Sequence, residues 1–128
     1  MPLHKITSPW RKLSAIAVLF IGMSCQQALA HAHLTDQLPA EGASVEQTPE
    51  SITLNFSEGI EVNFTKVNIT GPNNTRVDTG KPILDAANDT KVIVPIKAKL
   101  ASGKYDVSWS VVSVDGHKTK GEYSFTVK

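Results

Sequence analysis

Sulfur is scarce in this 128-residue sequence, which contains one cysteine and two methionines. Met1, Met23 and Cys25 all lie near the start, so residues 26–128 contain neither residue type. A chain reduced to that part has no disulfide, no thiolate zinc site, no cysteine nucleophile and no thioether ligand. Neither sign of charge is in large excess, because the sequence contains 13 Lys and Arg residues and 12 Asp and Glu residues. This balance argues against a nucleic-acid-binding protein with a broad basic surface.

Long hydrophobic runs are also missing, because the main apolar stretch, residues 13–23, is too short to span a membrane. Basic residues precede this stretch and an A-x-A motif that ends at Ala30 follows it, which is the order of a secretory signal peptide. We therefore predict that residues 1–30 are cleaved and that residues 31–128 form one exported domain. This domain has 98 residues and a charge of about −2. The basic residues of the signal are Lys5, Arg11 and Lys12.

Cys25 leaves a second cleavage site open. A lipoprotein would be cut before such a cysteine and acylated on it, but Gly22 and Met23 are poor residues for the positions that precede a lipidated cysteine. We therefore favour cleavage after Ala30, which makes His31 the first residue and gives it a free α-amine.

Apolar and polar residues alternate from His31 onward, and no amphipathic helix of ten residues is present. Alternation places every second side chain on one face of a strand, so each run predicts a strand that packs on a common core. About seven such strands predict an all-β fold, a single antiparallel Greek-key β-sandwich or barrel of immunoglobulin-like kind. Pro95 lacks a backbone donor, so we expect its run to be an edge strand or to contain a bulge. The clearest runs are residues 52–56, 67–69, 92–96, 105–111 and 123–127.

Cleavage after Ala30 would give the mature chain an N-terminal histidine. The α-amine nitrogen and the imidazole Nδ1 of His31 could then chelate one metal ion in a six-membered ring. An α-amine has a reference pKa of about 7.7–8.0 and an imidazole one of about 6.5, so both can lose their protons near neutral pH. His31 is therefore predicted to be a bidentate nitrogen donor.

A second candidate pair lies far along the chain, in the segment Val114-Asp-Gly-His117. Residues two apart in an extended segment project to the same side, so Asp115 and His117 can present a carboxylate oxygen and an imidazole nitrogen to one point. If the N-terminus lies beside them, the donors total three nitrogens and one oxygen, without sulfur. Such a set suits tetragonal Cu(II), which also leads the affinity order of the divalent first-row metals.

Simpler interpretations of these histidines remain open. His117 alone would be ordinary polar surface, Asp-Gly is a common turn dipeptide, and residues 31–33 could be an unstructured tail. His33 is also third from the free amine, where an amine, two deprotonated backbone amides and an imidazole can wrap Cu(II) or Ni(II). We favour the folded site, because amide deprotonation needs a flexible terminus and Leu34 suggests that the chain soon joins the sandwich.

Several longer segments have a distinctive order along the chain. They are His31-Ala-His-Leu, Leu38-Pro-Ala-Glu-Gly42, Leu54-Asn-Phe-Ser-Glu58 and Trp109-Ser-Val-Val-Ser-Val-Asp-Gly-His-Lys118, followed by Gly121-Glu-Tyr-Ser-Phe125. Together they resemble the CopC family of periplasmic copper-binding proteins, and more narrowly its short YobA-like branch. The resemblance extends over essentially all of residues 31–128, and the terminal histidine combined with a late Asp-x-His is a fairly specific signature.

This resemblance implies a seven-stranded cupredoxin-like or immunoglobulin-like sandwich that binds one Cu(II) per chain through a histidine brace. Carried over residue by residue, it assigns the amine and Nδ1 to His31, a carboxylate oxygen to Asp115 and an imidazole nitrogen to His117. Glu58 would orient the amine or an imidazole as a hydrogen-bond acceptor, and His33 stays a weaker ligand candidate. Relatives with a Met-rich loop hold Cu(I) at the opposite end, so the resemblance extends here to the Cu(II) site alone.

The function that follows is a periplasmic Cu(II) carrier or buffer in copper homeostasis or copper resistance, without enzymatic activity. The resemblance implies cooperation with an inner-membrane copper transporter of the CopD type. We expect a monomer that binds no nucleic acid and is not inserted in the membrane after cleavage.

Two other function classes remain as alternatives. An oxidative copper enzyme of the polysaccharide monooxygenase type also uses a terminal-histidine brace, but it takes two imidazoles and leaves a position for oxygen. A metal-free β-sandwich binding module would need the strands and not the histidines.

Overall fold

The structure, a computed structural model, describes residues 32–128, which form β-strands, turns and two short 3-10 helices (Val62–Phe64 and Pro72–Asn74), without an α-helix. Residues 1–31 lie outside the described residues, and with them the predicted signal peptide, Cys25 and His31. Within the described part, no helix is long and apolar enough to cross a membrane. The strands are β1 (Leu34–Leu38), β2 (Ser44–Val45), β3 (Ser51–Phe56), β4 (Lys66–Thr70), β5 (Ile83–Asp85), β6 (Asn88–Pro95), β7 (Gly103–Val112) and β8 (Lys118–Val127).

The eight strands form two four-stranded sheets, in the orders β1-β3-β6-β5 and β2-β8-β7-β4. Most connections between the described strands pass from one sheet to the other, as in Greek-key sandwiches. The predicted all-β sandwich is therefore confirmed. It has one strand more than the expected seven, because β2 is a two-residue strand, too short to show alternation. β2 also pairs in parallel with β8, whereas the other neighbouring strands are antiparallel.

The core lies between the two sheets and consists mainly of the side chains that the alternating pattern predicted, joined by Ala32, Ile60 and Leu100 from outside those runs. Burying an aliphatic or aromatic side chain of this size contributes about 1.5–3 kcal/mol, so this core is the main source of stability in residues 32–128. Phe56 contacts Trp109 edge to face, with ring centroids 5.1 Å apart, and joins the two sheets. The buried residues of the four longest strands are Ile52, Leu54, Phe56, Val92, Val94, Tyr105, Val107, Trp109, Val111, Tyr123, Phe125 and Val127.

Pro95 does not lie on an edge strand, and it pairs in register with Ser51, without a bulge, so both forms of that prediction are wrong at this residue. Its run is β6, which lies between β3 and β5 in the interior of the first sheet. Pro95 is the last residue of β6, and the pairing with β5 extends only to Ile93. The Pro95 carbonyl oxygen accepts a hydrogen bond from the Gly80 backbone nitrogen at 2.8 Å. At the end of the strand, as on an edge strand, proline can lack a backbone N–H without breaking the hydrogen bonds between strands.

One end of the sandwich brings together three segments that are distant in sequence. β1 begins there, with Leu34 opposite Phe56, the last residue of β3. β7 ends and β8 begins there, with Val112 opposite Lys118. Residues 57–65 cross from β3 to β4 at this end and form backbone hydrogen bonds with the β7–β8 turn.

Candidate metal centre

The turn between β7 and β8 brings Asp115 and His117 into contact. Asp115 Oδ2 lies 3.1 Å from His117 Nδ1, and both side chains are nearly half exposed. Each carboxylate oxygen has two lone pairs, so Oδ2 retains acceptor capacity beside the imidazole. The turn therefore presents one oxygen donor and one nitrogen donor side by side, where an ion from solvent can reach them.

Backbone hydrogen bonds close this turn on itself. The Ser113 nitrogen donates to the His117 carbonyl oxygen at 2.9 Å, and the Gly116 nitrogen donates to the Ser113 carbonyl oxygen at 2.8 Å. Gly116 has a φ of 89°, a conformation that residues with a Cβ rarely adopt. A Cβ at this position would meet no atom within 4 Å, so the backbone angle and not crowding favours glycine.

Ser113 lies fully buried beneath the turn, and its hydroxyl contacts the turn from inside. Ser113 Oγ donates to Asp115 Oδ1 and lies 3.3 Å from the His117 carbonyl oxygen. The hydrogen bond from Ser113 holds the pKa of Asp115 below its ordinary value, and the contact with His117 adds to this effect. The sequence interpretation missed Ser113. Its signal was a hydroxyl residue two positions before the aspartate, a spacing typical of local side-chain hydrogen bonds.

Ser57, the first residue of the segment 57–60, forms hydrogen bonds with the N-terminal segment of the described chain. The Ser57 nitrogen donates to the His33 carbonyl oxygen at 2.9 Å, and the His33 nitrogen donates to Ser57 Oγ at 3.0 Å. Ala32 is 1% exposed and belongs to the core, whereas the His33 side chain lies at the surface. The described chain therefore enters the sandwich at its first residue, directly after His31 in sequence.

Gly59 and Ile60, at the end of the same segment, contact the β7–β8 turn that contains Asp115. The Val114 nitrogen donates to the Gly59 carbonyl oxygen at 2.9 Å, and Ile60 forms a β-bridge with Ser113. Ser57 and Gly59 are two residues apart, so their Cα atoms lie within about 7 Å of each other. One short segment thus binds the N-terminal segment at one of its residues and the β7–β8 turn two residues later.

Glu58 lies between these two attachment points. Its side chain is half-buried and forms no ion pair with another residue of the described range 32–128. It therefore sits beside both the N-terminal segment and the turn, in a place from which a carboxylate could accept a hydrogen bond.

The described donors do not complete a metal site by themselves. Within residues 32–128, no group of three or more His, Cys, Asp or Glu side chains is arranged to hold a metal ion. Asp115 and His117 are a pair, His33 is attached through its backbone, and His31 lies outside the described residues. An ion at this end would need further donors from outside the described range or from water.

Comparison with known proteins relates this chain to copper resistance proteins. The chain is 47% identical over 114 residues to Protein YobA of Escherichia coli K12, which covers 89% of the chain and 92% of that protein. It is 37% identical over 108 residues to Copper resistance protein C of Escherichia coli, which covers 79% of the chain and 84% of that protein.

A solved structure has the same fold. It is the crystal structure of PcoC, a methionine-rich copper resistance protein from Escherichia coli, with a TM-score of 0.70 and 32% sequence identity. The match covers 77% of this chain and all of that one. The family model described as CopC domain matches residues 34–128, which is most of the chain. The chain therefore belongs to the CopC family.

Proposed function

We propose that this protein binds one Cu(II) per chain and serves as a periplasmic copper carrier or buffer in copper homeostasis or copper resistance. In this proposal His31 supplies its α-amine and Nδ1, Asp115 a carboxylate oxygen and His117 an imidazole nitrogen. Glu58 orients the terminal donors, and His33 is not a ligand.

The observation that carries the proposal is the double attachment of residues 57–60. His33 is bonded to Ser57 and Val114 to Gly59, so the N-terminal segment and the Asp115–His117 pair are fixed to one short piece of chain. Ala32 is buried at this place, and His31 is joined to it by a peptide bond. Covalent geometry therefore limits how far the donors of His31 can lie from the turn.

The chemistry of the donors supports Cu(II) as the ion. Two nitrogens of His31, one of His117 and one oxygen of Asp115 form a sulfur-free set, which suits tetragonal Cu(II). Residues 32–128 contain no methionine, whereas the related PcoC is described as methionine-rich. Soft thioether ligands select Cu(I), so their absence from this part of the chain favours the oxidised ion.

Binding without turnover follows from the same set. Four protein donors fill the equatorial positions of a tetragonal ion, whereas catalytic metal sites keep one position open. We therefore infer a carrier or buffer and not an oxidative enzyme. Export to the periplasm follows from the signal-like residues 1–30, and a membrane copper transporter of the CopD type is the partner that we propose for the monomer.

Titration of the processed protein with Cu(II), followed by EPR, tests the proposal. His31→Ala and His117→Ala should each weaken binding strongly, because each removes a nitrogen donor. His33→Ala is the matched control, since it removes an exposed imidazole close by and should leave affinity and spectrum unchanged. A Met placed before His31 should also weaken binding, because it moves the amine away from the imidazole.

Three results would contradict the proposal. Retained affinity in the Met-extended protein would exclude the brace formed by the amine and Nδ1. Loss confined to His33→Ala would establish the terminal amide chelate in its place. The absence of tight stoichiometric copper in the wild type would leave the metal-free binding module.

A further inference from the structure

We propose that Ser113 is a positioning residue of the copper site, which fixes the Asp115 carboxylate before the ion arrives. This inference rests on the proposed function, because it assigns a role within the same site. Ser113 touches no ion in this proposal and acts through Asp115.

The hydroxyl of Ser113 has a single proton, and two acceptors lie within reach. One is Asp115 Oδ1, which is the nearer, and the other is the His117 carbonyl oxygen at 3.3 Å. A hydrogen bond to a charged acceptor is about twice as strong as one between neutral groups. The proton therefore goes to Asp115, and one carboxylate oxygen is held from beneath.

The other carboxylate oxygen then faces the imidazole. Asp115 Oδ2 lies 3.1 Å from His117 Nδ1, on the exposed side of the turn. The carboxylate is thus held at both oxygens: the buried Ser113 hydroxyl and, at 3.5 Å, the His117 backbone nitrogen donate to Oδ1, and the imidazole contacts Oδ2. An exposed aspartate on a turn would otherwise exchange between staggered rotamers, and binding would have to select one of them.

Ser113 itself is held rigidly by the fold. It is 0% exposed, forms a β-bridge with the buried Ile60, and closes the turn through its backbone nitrogen and carbonyl oxygen. Its hydroxyl has no route to water, so its hydrogen bond must be made within the turn. Because Ser113 is fixed relative to the two sheets, its hydrogen bond fixes the orientation of the Asp115 carboxylate, as outer partners of metal ligands commonly do.

The test compares Cu(II) affinities of four variants of the processed protein. Ser113→Ala should weaken binding about 10- to 100-fold, the range typical of removing an outer partner of a metal ligand. Ser110→Ala is the matched control, because Ser110 is an exposed serine of β7, three residues before Ser113, and this variant should bind as the wild type does. In an Asp115→Ala background, adding Ser113→Ala should have little further effect, because Ser113 acts through Asp115.

The EPR spectrum separates positioning from general destabilisation. Copper bound to Ser113→Ala should show altered g and hyperfine values, whereas a purely structural role would lower stability and leave the spectrum of the bound ion unchanged. Wild-type affinity in Ser113→Ala would overturn the inference and leave the proposed function intact. Failure of the wild type to bind copper would instead refute the proposed function.

A measurement on the copper-free wild type keeps the inference testable if Ser113→Ala does not fold. Three-bond Hα–Hβ couplings of Asp115 by NMR should report a single staggered χ1 rotamer. Couplings averaged over several rotamers would show that the carboxylate is not fixed in advance, and would overturn the inference without any copper experiment.

Discussion

Replacement of His33 distinguishes the folded copper site from a terminal amide chelate. In the chelate, the backbone nitrogens of Ala32 and His33 lose their protons and bind the ion. In the structure, the His33 nitrogen donates to Ser57 Oγ at 3.0 Å, and Ala32 is 1% exposed. The folded protein therefore has to release both residues before such a chelate can form.

The size of this penalty follows from the contacts that are lost. Removing the Ala32 methyl group from the core costs about 0.8 kcal/mol. Breaking each of the two hydrogen bonds between His33 and Ser57 costs about 0.5–1.5 kcal/mol. The whole release costs about 2–4 kcal/mol, which weakens the chelate about 30- to 900-fold relative to a free peptide.

We therefore expect His33→Ala to change the Cu(II) affinity of the folded, processed protein by no more than about twofold, as for other exposed substitutions. Competition against a chromophoric copper chelator measures this affinity. A synthetic peptide with the sequence of residues 31–35 is the matched control, and there the same substitution should abolish tight binding. Concentrated urea should make the protein behave as the peptide does. Equal losses in protein and peptide under native conditions would refute the reasoning.

Two further predictions concern the stability of the fold. Asp115 has a lowered pKa in the folded state, so its ionised form contributes stability that is complete above the ordinary value of 3.8 and is lost as pH falls through the folded-state value. In urea unfolding, the free energy of unfolding should therefore decrease more steeply with falling pH for the wild type than for Asp115→Asn. Near neutral pH the two curves should be parallel. Equal slopes at acid pH would contradict the lowered pKa of Asp115. Gly121→Ala would place a Cβ 2.5 Å from Cζ2 of Trp109, so it should destabilise the protein by about 1–3 kcal/mol and shift the Trp109 emission. An unchanged unfolding midpoint would contradict this close packing.

The long strands could be predicted from sequence because their two faces differ in polarity. Tyr105, Val107, Trp109 and Val111 alternate with more exposed residues, and the structure buries all four in one sheet. The two-residue strand β2 has no alternation to detect, and its parallel pairing with β8 depends on tertiary contacts. The edge-strand prediction from Pro95 failed for a related reason. A residue without a backbone N–H indicates an unpaired position, but it does not indicate whether that position is on an edge strand or at the end of an interior strand.

The candidate site was predictable where its residues are neighbours in sequence. Asp115 and His117 are two apart, and the structure places their side chains 3.1 Å from each other. The connection between Ser57 and His33 spans 24 positions, so no local pattern reveals it. Ser113 was missed although it is only two residues from Asp115. A serine just after a strand is usually exposed to solvent, whereas Ser113 is fully buried.

The proposed affinity depends on the fold more than on any single donor. Asp115 and His117 alone offer two donors, and within residues 32–128 no third donor joins them. Tight binding then requires the terminal donors at a fixed distance, because each freely moving group loses conformational entropy when it binds. Residues 57–60 hold His33 close to Val114, through hydrogen bonds to His33 on one side and to Val114 on the other. If His31 binds as proposed, the crossing from β3 to β4 determines the affinity of the site without supplying any of its ligands.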